Sequence, residues 1–420
     1  MTFAFVPPFL IFLLAAALAA LLPTRFLGWV VTLCALVAGL LGFAAPDGVY
    51  VSLGFFKYSL ELAVGGNVER LSQVALCLAV MLIGIAASKQ SSCRYHAWGL
   101  ALSGLASGVL SSGDLVSIFL FFELIVITTT VLIAAGRTHE SQAAALRFII
   151  IQLLASIIFK VGMSDFHHRF DSYSLSAVNQ PIFESPLGWT LVIGLFVKVS
   201  AWPLAFLTPM AISKSNRTGQ LYLSALLPLA SIGSIWKVFN GHTDNMVFLM
   251  SGVLMILYGM VYGIQRQESP AQKTAYWLVS LSGLVLSLGV ASNGFAQPYA
   301  LGLLPIISVL ILLSAQQVQL PNSISHGTGQ TESHTPAKLK DTDALINRLM
   351  SSVLSPFVSY LLHLWATALH TLHKLVEFFV GRLGKLTGPE SMFGGNWGIG
   401  PTCLWVIALL SLYGIIYLLF

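Results

Sequence analysis

The apolar residues of this sequence fall in runs of about 20, the length at which an α-helix rising 1.5 Å per residue crosses about 30 Å of hydrocarbon. Such runs fix the solvent as lipid for most of the chain. Charged residues make up 9% of it and hydrophobic ones 56%, whereas a soluble chain is about 25% charged. In a bilayer every backbone polar group must be satisfied within the segment, and no alternating barrel pattern is present, so the runs predict helices. The expected fold class is an all-α polytopic membrane protein.

Spans are expected at 3–22, 26–45, 71–87, 97–112, 114–135, 144–163, 187–209, 221–239, 246–264, 274–292 and 298–315, with a terminal one at 402–420, about 12 in all. Organisation follows from the gaps between them. Residues 1–67 read as two membrane helices and an outer loop, and 68–315 as the membrane core. The stretch 316–343, rich in Ser, Thr, Gly, His and Gln, reads as a flexible linker, 344–386 as an amphipathic helix on the membrane surface or against a partner, and 387–420 as a terminal anchor. The first run lacks a basic segment ahead of it and is expected to stay rather than be cleaved.

The formal charge of +5 does not point to nucleic acid, because the basic residues stand singly in short loops. They set orientation instead. One set of alternate loops holds Arg25, Lys89, Arg94, Arg137, Arg147, Lys214, Arg217, Arg266 and Lys273; the other holds Lys57, Arg70, Lys160, Arg169 and Lys237. The richer set belongs in the cytoplasm, with the N-terminus outside, in a membrane expected to be the bacterial inner membrane. The four cysteines show no paired spacing, so neither a disulfide framework nor a metal site is expected.

Two ionisable residues interrupt the apolar runs near their middles: Glu123 and Lys198. Glu123 follows Asp114 by nine residues, which places it about 13 Å into its helix. An unpaired charge there costs several kcal/mol, so a mutual ion pair is the economical expectation. It can serve as a packing device or as a protonation switch, since a buried lysine and its carboxylate respond to charge nearby. Pro203, five residues after Lys198 and supported by Trp202 and Pro209, is expected to break its span. Asp114 reads as a helix N-cap, and Arg147, Lys160 and Lys237 as snorkelling side chains at helix ends. His167 and His168 lack further ligands at metal-binding spacing.

These residues, in this order, resemble the antiporter-like membrane subunits shared by respiratory complex I, membrane-bound hydrogenases and Mrp-type cation/proton antiporters. The resemblance covers roughly 60–320. It rests on Val68-Glu69-Arg70-Leu71-Ser72, on Ser112-Gly113-Asp114-Leu115 followed by Glu123-Leu124, on Ala145-Leu146-Arg147-Phe148, and on Lys198, four residues, Pro203, five residues, Pro209. Looser matches follow at Tyr258-Gly259, Ala275-Tyr276 and Gly283. It implies that Glu123 and Lys198 form a pair whose opening is linked to proton movement; Asp114, Arg147 and Ser224 are candidate auxiliary positions beside it.

Departures from the family pattern lie further along. Ala205 and Leu207 stand where the resemblance implies His and Trp, and Ser224 and Leu229 where it implies His and Lys. No Lys, Arg, Asp, Glu or His occurs within 222–236, 246–264, 274–293 or 299–314. A relay there would depend on water and on Ser224, Ser231, Ser234, Tyr258, Tyr262, Ser280, Ser282 and Ser308. The resemblance also implies about three further core spans, so a divergent, shortened member is expected. The expectation is therefore an H⁺- or Na⁺-translocating subunit held among other integral membrane subunits. Its alternative is a structural or coupling subunit without a complete relay. No P-loop, dinucleotide fingerprint or Fe–S spacing is found, so no cofactor and no catalytic centre are expected in this chain.

Overall fold

The computed structural model describes residues 2–3, 5–55, 58–87, 93–175, 187–239, 246–265, 270–291 and 297–318, all within the unit Met1–Pro321. Its helices are α1 (Pro8–Leu21), α2 (Thr24–Ala44), α3 (Asn67–Ala87), α4 (Cys93–Ser111), α5 (Leu115–Ala134), α6 (His139–Phe170), α7 (Gly188–Lys198), α8 (Leu207–Lys214), α9 (Arg217–Val238), α10 (Met246–Gln265), α11 (Pro270–Ala291) and α12 (Gln297–Val318). By length and apolarity α2, α3, α5, α6, α9, α10 and α11 can each cross a membrane; α1, α7 and the stretch Gln297–Leu313 are apolar but shorter. Helix α12 continues to Val318, past the 316 at which the linker is expected to begin. The rest of that linker, the amphipathic helix expected at 344–386 and the terminal span at 402–420 lie outside the described residues.

The expectation of an all-helical chain needs one correction. The stretch expected to be an outer loop forms strands β2 (Gly48–Phe55) and β3 (Tyr58–Val64), and the first apolar run opens with strand β1 (Thr2–Phe3) before α1 starts at Pro8. They make an antiparallel sheet in the order β1-β2-β3. Alternation in β3 was the available signal: Leu62 and Val64 are buried while Glu61 and Ala63 beside them are less so. The buried face gathers Ala45, Tyr50, Val51, Leu62 and Val64, with Phe5, Phe9 and Phe121 against it. The β3 edge ties to the turn before α5 through Gly113 N–H to the Glu61 carbonyl at 2.7 Å.

Caps fix where the central helices start. Asp114 accepts from Ser117 N–H at 2.7 Å and opens α5. Thr138 and Ser141 exchange side-chain and backbone bonds of 3.0 Å to open α6, and Asn216 accepts from Gly219 N–H at 2.7 Å to open α9. α6, at 32 residues, is long enough to exceed the hydrocarbon thickness. α4 is serine- and glycine-rich and packs on α1, α5 and α9. Gln73 of α3 crosslinks to it with both ends satisfied, donating to the Ser107 carbonyl and Ser111 Oγ at 2.8 Å and accepting from Ser107 Oγ at 2.8 Å.

Helices α6 and α7 meet through glycine. A Cβ on Gly162 would lie 2.3 Å from the Leu191 backbone nitrogen, and one on Gly194 would lie 2.5 Å from Phe159 Cα. Backbone lies against backbone at both points, so no rotamer change can make room. This approach carries the end of α7 to the middle of α6.

Candidate functional site

α7 ends at Lys198, and residues 199–206 are not helical before α8 resumes at Leu207. Ser200 takes a left-handed conformation with φ 55°, and the Trp202–Pro203 peptide is cis. The break thus begins directly after Lys198, with Pro203 in its middle and Pro209 already in the first turn of α8. The end of α7 closes through Val199, Ala201 and Ser200 N–H, which donate to the Leu195, Phe196 and Val197 carbonyls at 2.9, 2.9 and 3.1 Å.

Lys198 Nζ donates to Glu123 Oε1 at 2.7 Å and to Ser156 Oγ at 2.8 Å. Ser156 Oγ lies 2.6 Å from Glu123 Oε1 and 2.8 Å from the Gln152 carbonyl, two acceptors for its single proton. Glu123 is 8% exposed and Lys198 5%. The ammonium also stands 5.7 Å from the centre of the Phe119 ring, within cation–π range. Three elements therefore contribute: α5 the carboxylate, α6 the hydroxyl and α7 the ammonium. Separating the charges in so buried a place is costly unless each finds another partner. What the arrangement can do is hold a proton on one side chain or another as their separation changes.

Gln152, one turn before Ser156 on α6, donates its amide to the Val197 and Lys198 carbonyls at 3.3 Å each. Neither Ser156 nor Gln152 stood out in the sequence, although both interrupt the apolar run 148–159 four residues apart, hence on one helix face. A cavity of ≈ 10 Å³ adjoins the site, lined in part by Gln152, Lys198, Ser200, Thr208 and Ser231. A second, of ≈ 20 Å³, shares Thr208 and Ser231 and reaches Ser282. Each has room for about one water molecule.

The other expected residues sit apart from this cluster. Asp114 is 2% exposed. Besides capping α5 it accepts from Ser117 Oγ at 2.5 Å and from Glu61 N–H at 2.6 Å, so it joins helix to sheet. Burial pushes its carboxyl above the usual range, against these hydrogen bonds; burial and then the Asp114 charge raise Glu61 as well. Arg147 stands exposed on α6. Ser224 is buried, with its hydroxyl turned back to the Leu221 carbonyl at 2.9 Å. Lys237 departs from the snorkelling expectation. It donates to the Leu110 carbonyl at 2.7 Å and the Ala63 carbonyl at 3.3 Å, with Glu69 Oε1 at 3.8 Å.

A bundle of membrane-length helices enclosing a carboxylate–ammonium pair beside a helix break defines a polytopic integral membrane protein. Residues 112–329, just over half of the chain, match the family described as NADH:quinone oxidoreductase/Mrp antiporter, TM. The chain belongs to that family. It is 25% identical over 255 residues to a probable K(+)/H(+) antiporter component of Rhizobium meliloti, covering 54% of this chain and 46% of that protein. It is 24% identical over 272 residues to a component of the Na(+)/H(+) antiporter of Alkalihalophilus pseudofirmus, covering 61% and 54%. The chain thus spans about half the length of the curated relatives it matches. A chain of respiratory complex I from Thermus thermophilus superposes with a TM-score of 0.62 at 18% identity, covering 74% of this chain and 70% of the other. At that identity the likeness establishes the shared fold.

Proposed function

We propose that this chain is an ion-translocating subunit of a multisubunit membrane assembly of the complex I or Mrp type, moving H⁺ or Na⁺ with Glu123 and Lys198 as the switching pair and Pro203 marking the broken helix. The observation that carries this reading is the Glu123–Ser156–Lys198 cluster. A buried pair bridged by a hydroxyl with two acceptor choices is suited to protonation exchange, whereas a pair that only fixed packing would gain nothing from that choice. The two small cavities beside α8 and α9 support a path for single waters where charged relay residues are missing. The charge bias of the loops supports an N-terminus outside a bacterial cytoplasmic membrane. Asp114 serves as a structural cap in this scheme.

The test uses the native complex, purified with its own partners and reconstituted into proteoliposomes with a pH-sensitive dye inside. Glu123→Gln and Lys198→Met are each expected to slow coupled ion transport about a hundredfold or more while the complex still assembles. Unchanged transport in both variants removes the proposal.

A second reading, a structural or coupling role, draws on a different observation. The hydroxyls of Ser224, Ser234, Ser282 and Ser308 donate to carbonyls of their own helices, an arrangement that leaves those protons committed. Under that reading the two variants change assembly or coupling efficiency rather than the rate of ion passage.

A further inference from the structure

Gln73 and Gln152 are both buried between helices, and they differ in one respect. Gln73 has partners at both ends of its amide. Gln152, 1% exposed, has partners only at its nitrogen, and its Oε1 has no hydrogen-bond partner among the described residues. The amide is not reversed: its near neighbours on α7 are two carbonyl oxygens, which accept and so must face the NH₂ group. Oε1 is thereby fixed on the other side, in a side chain that lines the ≈ 10 Å³ cavity together with Lys198, Ser200, Thr208 and Ser231. A buried, uncommitted acceptor beside a one-water void is uncommon in a folded protein, where such groups are normally satisfied.

The ammonium of Lys198 has three donors, of which Glu123 and Ser156 take two. Its four-carbon stem is flexible enough to carry the charge between neighbouring acceptors. We propose that Gln152 Oε1, with a water molecule held in the adjoining cavity, is the second resting place of the Lys198 ammonium. The proposal rests on the transport reading above and supplies the position that reading needs. When Glu123 takes up a proton from a hydronium ion, an O–H bond forms on its carboxylate as one O–H bond of the hydronium breaks to leave water, and the counter-charge is lost. Lys198, still an ammonium, then turns from Glu123 to the amide oxygen and the water. Loss of that proton restores the carboxylate and draws the ammonium back. Gln152 is a positioning residue with two tasks: its nitrogen holds the end of α7, and its oxygen receives the side chain leaving Glu123.

The decisive measurement is a high-resolution map of the native complex, wild type beside Glu123→Gln, the isostere that imitates the protonated acid. In the wild type, ordered water is expected on Gln152 Oε1 with Lys198 Nζ on Glu123. In Glu123→Gln, Nζ is expected within about 3 Å of Gln152 Oε1. A dry cavity in the wild type, or an ammonium that stays beside Ser156 in the variant, overturns the proposal. Gln152→Leu removes the acceptor at similar volume and is expected to slow ion transport about tenfold or more, with the Glu123–Lys198 contact unchanged in the map. Gln152→Glu, which places a fixed charge at the second position, is expected to hold Lys198 there and slow transport as well. Full transport in Gln152→Leu where Glu123→Gln has none overturns this inference and spares the transport reading. Full transport in both Glu123→Gln and Lys198→Met overturns the transport reading, while the map still decides where the ammonium rests.

Discussion

Lys198 and Lys237 each stand beside a carboxylate, the first buried and the second half-buried, and the two pairs are built differently. Lys198 meets Glu123 at 2.7 Å and places a further bond on a serine side chain. Lys237 stands 3.8 Å from Glu69 and places its bonds on the Leu110 and Ala63 carbonyls. Side-chain partners can gain a proton, rotate or be exchanged, whereas carbonyls fixed in the backbone do none of these. The first pair is suited to switching. The second closes the C-terminal end of α4 and ties α9 to β3, a structural task that suits a cation near a helix C-terminus.

Removing the two lysines in turn is the strongest way to break this distinction. Lys198→Met is expected to remove transport without loss of the complex. Lys237→Met is expected to lower stability by about 2 kcal/mol, read from thermal unfolding in detergent, with transport falling only in proportion to assembled protein. Equal transport losses per assembled complex in the two variants end the comparison.

Gly194→Ala tests whether the first pair depends on the close approach of α6 and α7. The added Cβ meets Phe159 backbone. Overpacking by one methyl is expected to cost about 1–3 kcal/mol and to draw Lys198 away from Ser156. Thermal unfolding and a map of the variant check both consequences. A Gly263→Ala control, whose Cβ would only touch the Trp277 ring edge at 3.4 Å or beyond, is expected to be nearly silent.

Asp114→Ala is expected to cost about 1–2 kcal/mol, since it uncaps α5 and frees Glu61 N–H, and Asp114→Asn to recover much of it. Transport per assembled complex is expected to stay within a factor of about two, which separates a cap from a relay group. The smallest effect belongs to Glu140, exposed and bonded to Lys214. That bond and the lysine's charge hold the Glu140 carboxyl below its usual range. Its contribution is therefore present above the unfolded carboxylate pKa and lost as pH falls through the lower folded one. Glu140→Gln is expected to leave the melting temperature at neutral pH nearly unchanged and to flatten its decline in acid. A large shift at neutral pH contradicts this assignment.

Much of the helical bundle and half of the site were legible in the sequence, for a common reason. A charge in an apolar run stands out because lipid makes it expensive, and helix rise converts its position into depth; Glu123 and Lys198 were visible on those grounds. Gln152 and Ser156 were not, because a neutral polar residue in a span has several inexpensive solutions, including bonding its own helix as Ser308 does. Lys237 near a helix end offers the same choice between snorkelling and a buried bond. The sheet was hidden by a different ambiguity: β1 has only two residues, and the alternation in β3 covers only a few.

By itself the sequence determined the solvent, the helical class, the expectation that two charges pair, and a break near Pro203, because these depend on composition, spacing and proline, which are local. Tertiary structure alone decided which hydroxyl joins the pair, which amide is left with a free oxygen and which lysine is anchored to backbone. Those outcomes depend on angstrom-scale approaches such as Gly194 against Phe159, and hydrogen bonds lose their strength over distances that short.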